Sequence, residues 1–129
     1  MITEDYVSFE TAKLLKEKGF NEPCIATYNS VTKNFEVEEV YQDWTTRWKA
    51  YISAPTHQMA MKWLREVHDL CIEVVYDCSN DKTETISWWF ADIKHINSGS
   101  SKENDCLTAY NSYEEACEAA IKYCLEHLI

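Results

Sequence analysis

Between Ala54 and Asp77 the apolar residues change from a helical to an extended period within a few positions, and no other stretch restricts the fold as tightly. Ala60, Trp63, Leu64 and Val67 recur at the spacing of one helix face, while Gln58, Lys62, Arg65, Glu66 and Asp69 fill the other. Pro55 suits a helix start, and the Thr56 hydroxyl is placed to accept from an unpaired N–H of the first turn. After Leu70, Ile72, Val74, Tyr76 and Cys78 alternate with Cys71, Glu73, Val75 and Asp77, the pattern of a strand with one apolar face. Such a stripe and such a face bury each other, so a helix lying on a sheet is the expected centre of the molecule.

The flanks extend this plan. Ser8 caps an expected first helix that runs to about Lys18, buries Phe9, Ala12, Leu15 and Leu14, and closes at Gly19 and Phe20 as a Schellman ending. Cys24 to Tyr28 and Phe35 to Glu38 form a hairpin around the Asn29 to Asn34 turn, with one core face and an acidic face carrying Glu36 and Glu38. Tyr41 to Ile52 fits either period, and its paired threonines favour an extended chain. Ile86, Trp88 and Phe90 share one face of a returning strand. Ala91, Ile93 and His95 continue on the other parity, which predicts a bulge or bend near Phe90 to Asp92. Asn97 to Asp105 has the composition of an exposed, mobile loop, and Cys106 to Tyr110 offers one more strand. Ser112 and Glu115 make a capping box ahead of a last helix whose stripe is Cys117, Ala120, Ile121, Cys124, Leu125 and Leu128.

The expected fold is therefore α+β: a mostly antiparallel sheet of four or five strands with about three helices packed largely on one face. A chain of 129 residues makes this one domain, 1–129. The first residues lack the pattern of a signal peptide and no apolar run is long enough for a bilayer, so a cytoplasmic, intracellular protein without membrane contact is expected. In that setting the six cysteines are read as free, buried thiols rather than a disulfide framework.

Few residues stand in a pattern that carries chemistry. Only Gly19 and Gly99 are present, so neither a phosphate-cradling loop nor a dinucleotide fingerprint exists. Cysteine pairs stand seven residues apart, with no close metal-ligating pair, so no metal site and no cofactor is assigned. His57 lies near a helix start that disfavours its cation and is a candidate neutral base, although a surface histidine is the plainer reading. No catalytic residue is assigned, and the chain is read as leaning away from an enzyme. A net charge of −10 disfavours direct nucleic-acid binding and fits either acidic solubility or imitation of a nucleic acid before a basic partner. The candidate binding surface is aromatic: Trp44, Trp48 and Tyr51, with Arg47 and Lys49 nearby, and Trp89.

At FETAKLLKEKGFNEPC, APTHQMAMKWLRE and SYEEACEAAIKYCLEHL the chain resembles a group of small, uncharacterised proteins from genomes of gut bacteria and their phages or mobile elements. The resemblance covers both ends and the centre of the chain and carries no activity, cofactor or catalytic residue with it. It implies an accessory protein that meets a host or phage partner. A non-enzymatic protein-interaction module is the leading expectation. A small-molecule binding domain using the aromatic surface is the alternative, and a small enzyme without an identifiable site comes third.

Overall fold

The computed structural model describes residues 1–44, 50–97 and 105–129. Trp48, Arg47 and Lys49 of the aromatic surface, and most of the loop expected at Asn97 to Asp105, lie outside the described residues. The fold is α+β with antiparallel sheets. Helix α1 (Phe9–Glu17) is followed by strands β1 (Cys24–Asn29), β2 (Phe35–Gln42) and β3 (Tyr51–Ser53). Helix α2 (His57–His68) leads into β4 (Leu70–Asn80), β5 (Thr85–His95), β6 (Asp105–Tyr110) and α3 (Tyr113–Tyr123), which ends in a π-helical turn, Cys124–Leu128.

The strands do not join into the one sheet of four or five expected above. Among the described residues they form two sheets of three, ordered β2-β1-β3 and β4-β5-β6. Strand β3 is only three residues long. It pairs with β1 from Thr27↔Ser53 to Asn29↔Tyr51 and then passes through Ala54 and Pro55 into α2. In the second sheet, α3 packs on β4, β5 and β6 and α2 on β4, over the side that carries buried Leu70, Ile72, Ala91 and Ile93. Helix α1 sits against β3 and α3, so the three helices share one core with residues from both sheets.

Local signals account for the helix ends. The Ser8 Oγ accepts from Thr11 N at 3.3 Å, the Thr56 Oγ1 from Met59 N at 3.2 Å, and the Ser112 Oγ from Glu115 N at 3.1 Å. Phe20 N donates to Leu15 O at 2.9 Å and Gly19 N to Lys16 O at 3.1 Å, the two bonds of a Schellman ending, with Gly19 at φ 90°. Helix α2 ends on Asp69, held at φ 55° and ψ 32°, so that β4 starts one residue later. An aspartate is strained there where glycine is not. Asp69→Gly is expected to raise stability by about 0.5 kcal/mol, read as a higher melting temperature in a circular-dichroism scan.

Four expectations about faces are corrected. Val67 is 55% exposed rather than buried; the stripe of α2 is His57, Ala60, Met61, Trp63 and Leu64, and the last turn before Asp69 lies outside the core. Strand β2 has no core face, because it forms the outer edge of its sheet and residues 35–41 are all exposed. The β4–β5 ladder runs from Leu70↔His95 to Asn80↔Thr85 without a shift, so the change of parity in β5 is not a bulge of that strand. Instead both faces carry apolar residues: Trp89, Ala91 and Ile93 face the helices, and Ile86, Trp88 and Phe90 face away beside Val75. The irregularity lies in β6, where Tyr110 to Leu107 opposes Trp89 to Ala91 and Ala109 takes φ 70°. Finally, the six cysteines are free, but only Cys24, Cys117 and Cys124 are buried; Cys71 is half-buried, and Cys78 and Cys106 are exposed.

Candidate functional site

The residues before α1 form a strap beside the start of α2. Val7 N donates to Pro55 O and His57 N to Asp5 O, both at 3.0 Å, with Tyr6 bridged to Thr56. This antiparallel contact sets the N-terminal ends of α1 and α2 side by side. Glu118, near the middle of α3, reaches both. Its Oε2 lies 2.8 Å from His57 Nε2, and its Oε1 accepts from Ser8 N at 2.8 Å and Thr11 Oγ1 at 2.9 Å. At that distance the carboxylate requires a proton on His57 Nε2. The pair joins three helices through one side chain.

Burial alone would push the Glu118 carboxyl up, but the hydrogen bonds from His57, Ser8 and Thr11 outweigh it and hold the group at about 2. Glu118 is thus ionised throughout the neutral range. A groove of about 640 Å³ lies above the pair, walled by Tyr6, Tyr110, Glu114, Ala119 and Lys122. Lys122 is itself bonded to Glu10 at 3.0 Å. An imidazole and a carboxylate in contact can hold and pass a proton, yet the nearby nucleophile candidates are quenched. Ser8 Oγ points at Thr11 Oγ1, and burial pushes the Cys117 thiol up to about 11. Among the described residues, no group of three or more His, Cys, Asp or Glu side chains is arranged to hold a metal.

The expected aromatic surface is only partly assembled. Trp44 and Tyr51 meet edge to face with ring centres 6.4 Å apart. Trp44 is half-buried, its indole N–H donates to Cys24 O at 2.8 Å, and its backbone N–H donates to Ser53 Oγ at 3.0 Å, so it covers β1 and β3 rather than standing free. Trp89 belongs to the other sheet, where it packs on Tyr76 at 5.2 Å and Tyr113 at 5.6 Å. His57 is 7% exposed, which corrects the surface reading, and its partner was invisible because Glu118 lies 61 residues further along the chain.

Besides Met1, Ile2, Val31, Val67 and Ile96, the exposed large apolar side chains among the described residues are on strands. On β2, Phe35, Val37, Val40 and Tyr41 are 42%, 54%, 59% and 64% exposed. Phe35 stacks on Tyr6 and Tyr28, each at 5.2 Å, which fixes the direction of this face. Glu36, Glu38 and Glu39 lie between the apolar positions. Thiol reactivity gives a direct check of the burial pattern. Cys78 and Cys106 are expected to react with an aromatic disulfide reagent in the native chain. Cys24, Cys117 and Cys124, pushed up by burial to about 12, 11 and 12, are expected to react only on unfolding.

No family model matches the chain, and comparison with curated proteins and with solved structures finds no significant match. Among the described residues no helix is long and apolar enough to cross a membrane.

Proposed function

We propose that this chain is a non-enzymatic protein-interaction module that engages its partner through strand β2. The observation that carries this reading is an eight-residue edge strand with four large apolar side chains in solvent. An uncovered edge of that kind invites aggregation unless a partner occupies it or charge protects it, and the three glutamates supply the charge. The partner is a host or phage protein, in keeping with the resemblance noted in the sequence and with an accessory role. Affinity capture from host lysate with the native chain, Val37→Lys and Ile86→Lys tests this. A specific partner lost with Val37→Lys and kept with Ile86→Lys is expected; a partner retained by Val37→Lys removes β2 from the interaction.

A second reading rests on the groove over His57 and Glu118, whose volume suits a small ligand. A panel of small amines, sugars and nucleosides that raises the melting temperature of the native chain, but not of Ala119→Trp, would favour it over the first.

A further inference from the structure

The edge of β2 also specifies the chemistry of what it takes, and this inference rests on the interaction reading above. Asn29 N donates to Asn34 O at 2.9 Å, and the register continues through Tyr28↔Phe35, Thr27↔Glu36 and Ala26↔Val37. Antiparallel pairs alternate between bonded and unbonded, so Thr27 and Glu36 exchange hydrogen bonds while Phe35 and Val37 turn their N–H and C=O away from β1. The other side of β1 agrees: Ala54 N donates to Ala26 O and Ser30 N to Ala50 O, leaving Thr27 and Asn29 for β2. Two backbone donors and two acceptors therefore face outward at Phe35 and Val37. Beyond them the register jumps from Ala26↔Val37 to Cys24↔Gln42, so one residue of β1, Ile25, stands against four of β2, and the exposed Glu38 and Glu39 lie in that irregular stretch.

A strand docked on this edge would place a side chain directly opposite Glu36, on the face where unbonded pairs approach most closely. A second copy of this chain docked antiparallel with Phe35 opposite Val37 would set Glu36 against Glu36, in a molecule of net charge −10. Self-pairing is therefore repelled, and a strand bearing lysine or arginine is favoured at those positions. The residues opposite Phe35 and Val37 share their apolar face. We infer that β2 binds an extended basic segment of a partner protein, in which lysine or arginine alternates with apolar residues and which adds antiparallel to the edge as a fourth strand.

The probe is a fluorescein-labelled peptide of alternating lysine and valine, followed by anisotropy with the native chain. Saturable binding is expected, weakened at least about tenfold by Glu36→Lys, by N-methylation of alternate peptide amides, and by raised salt. Val37→Pro removes an outward N–H and no bond to β1, so it too is expected to weaken binding while the melting temperature stays close to native. Ile86→Lys, on the second sheet, is expected to leave binding unchanged. Equal affinity for a glutamate–valine peptide or for the N-methylated peptide would overturn the proposal, as would a β2-dependent dimer in sedimentation. The absence of binding up to about 1 mM peptide would overturn it as well. A lysate partner still lost with Val37→Lys would then show that β2 is an interface for some other chemistry, whereas a partner retained by Val37→Lys sinks both readings.

Discussion

Glu118→Ala is expected to lower the free energy of unfolding by about 3 kcal/mol, because one truncation strips the acceptor from three donors on two other helices. His57 Nε2–H and the Thr11 hydroxyl belong to buried residues, and water admitted through the groove restores only part of what they lose. Glu118→Gln keeps an oxygen for Ser8 and Thr11 but not the charge, and is expected to cost about half as much. The effect depends on pH with a definite sign. The carboxyl lies lower in the folded chain, at about 2, than its ordinary 4.5, so its contribution is fully present above pH 4.5 and is lost as pH falls toward 2. That displacement corresponds to about 3 kcal/mol, in line with the truncation. Denaturant titrations of the native chain and Glu118→Ala should therefore diverge at pH 6 and converge near pH 2. A difference that stayed constant across that range would assign the stabilisation to packing rather than charge.

Trp63→Ala is expected to cost about 4 kcal/mol, the upper part of the range for emptying a buried aromatic site. Trp63 is 5% exposed and meets Phe20 edge to face at 5.4 Å, which ties the end of α1 to the middle of α2. It also meets the His68 ring at 4.7 Å, and among the described residues the buried His68 Nε2 has no hydrogen-bond partner. Removing the indole thus opens a cavity and takes the aromatic neighbour from a half-buried polar ring. Equilibrium urea unfolding should show the loss with an unchanged slope, and a cycle with Phe20→Ala should show a coupling of about 1 kcal/mol between the two rings.

These two sites show where the sequence was legible. Trp63 sits in a stripe written within one helix, and Ser8, Thr56, Gly19 and Ser112 announce their caps through neighbours at most a few residues away. Glu118 had no such signal, because Ser8, Thr11 and His57 reach it only after the strap and α2 have folded against α3. The division into two sheets was equally hidden, since each strand alternates in the same way whichever sheet it joins. Trp88 and Trp89 illustrate the limit most sharply. Strand β5 is apolar on both faces, so parity did not reveal that Trp89 packs against α3 and Trp88 turns away. For β2 the alternation itself was plain; what could not be read was that, among the described residues, its apolar side chains would stay 42% to 64% exposed.

The edge of β2 is tested most directly by residue-resolved amide hydrogen exchange, with and without the lysine–valine peptide. In the free chain the N–H of Glu36, bonded to β1, should exchange slowly, and those of Phe35 and Val37 should exchange fast. Adding the peptide should protect Phe35 and Val37 and leave the Ile86, Trp88 and Phe90 amides unchanged. Binding that leaves Phe35 and Val37 as exposed as before would contradict strand addition at β2.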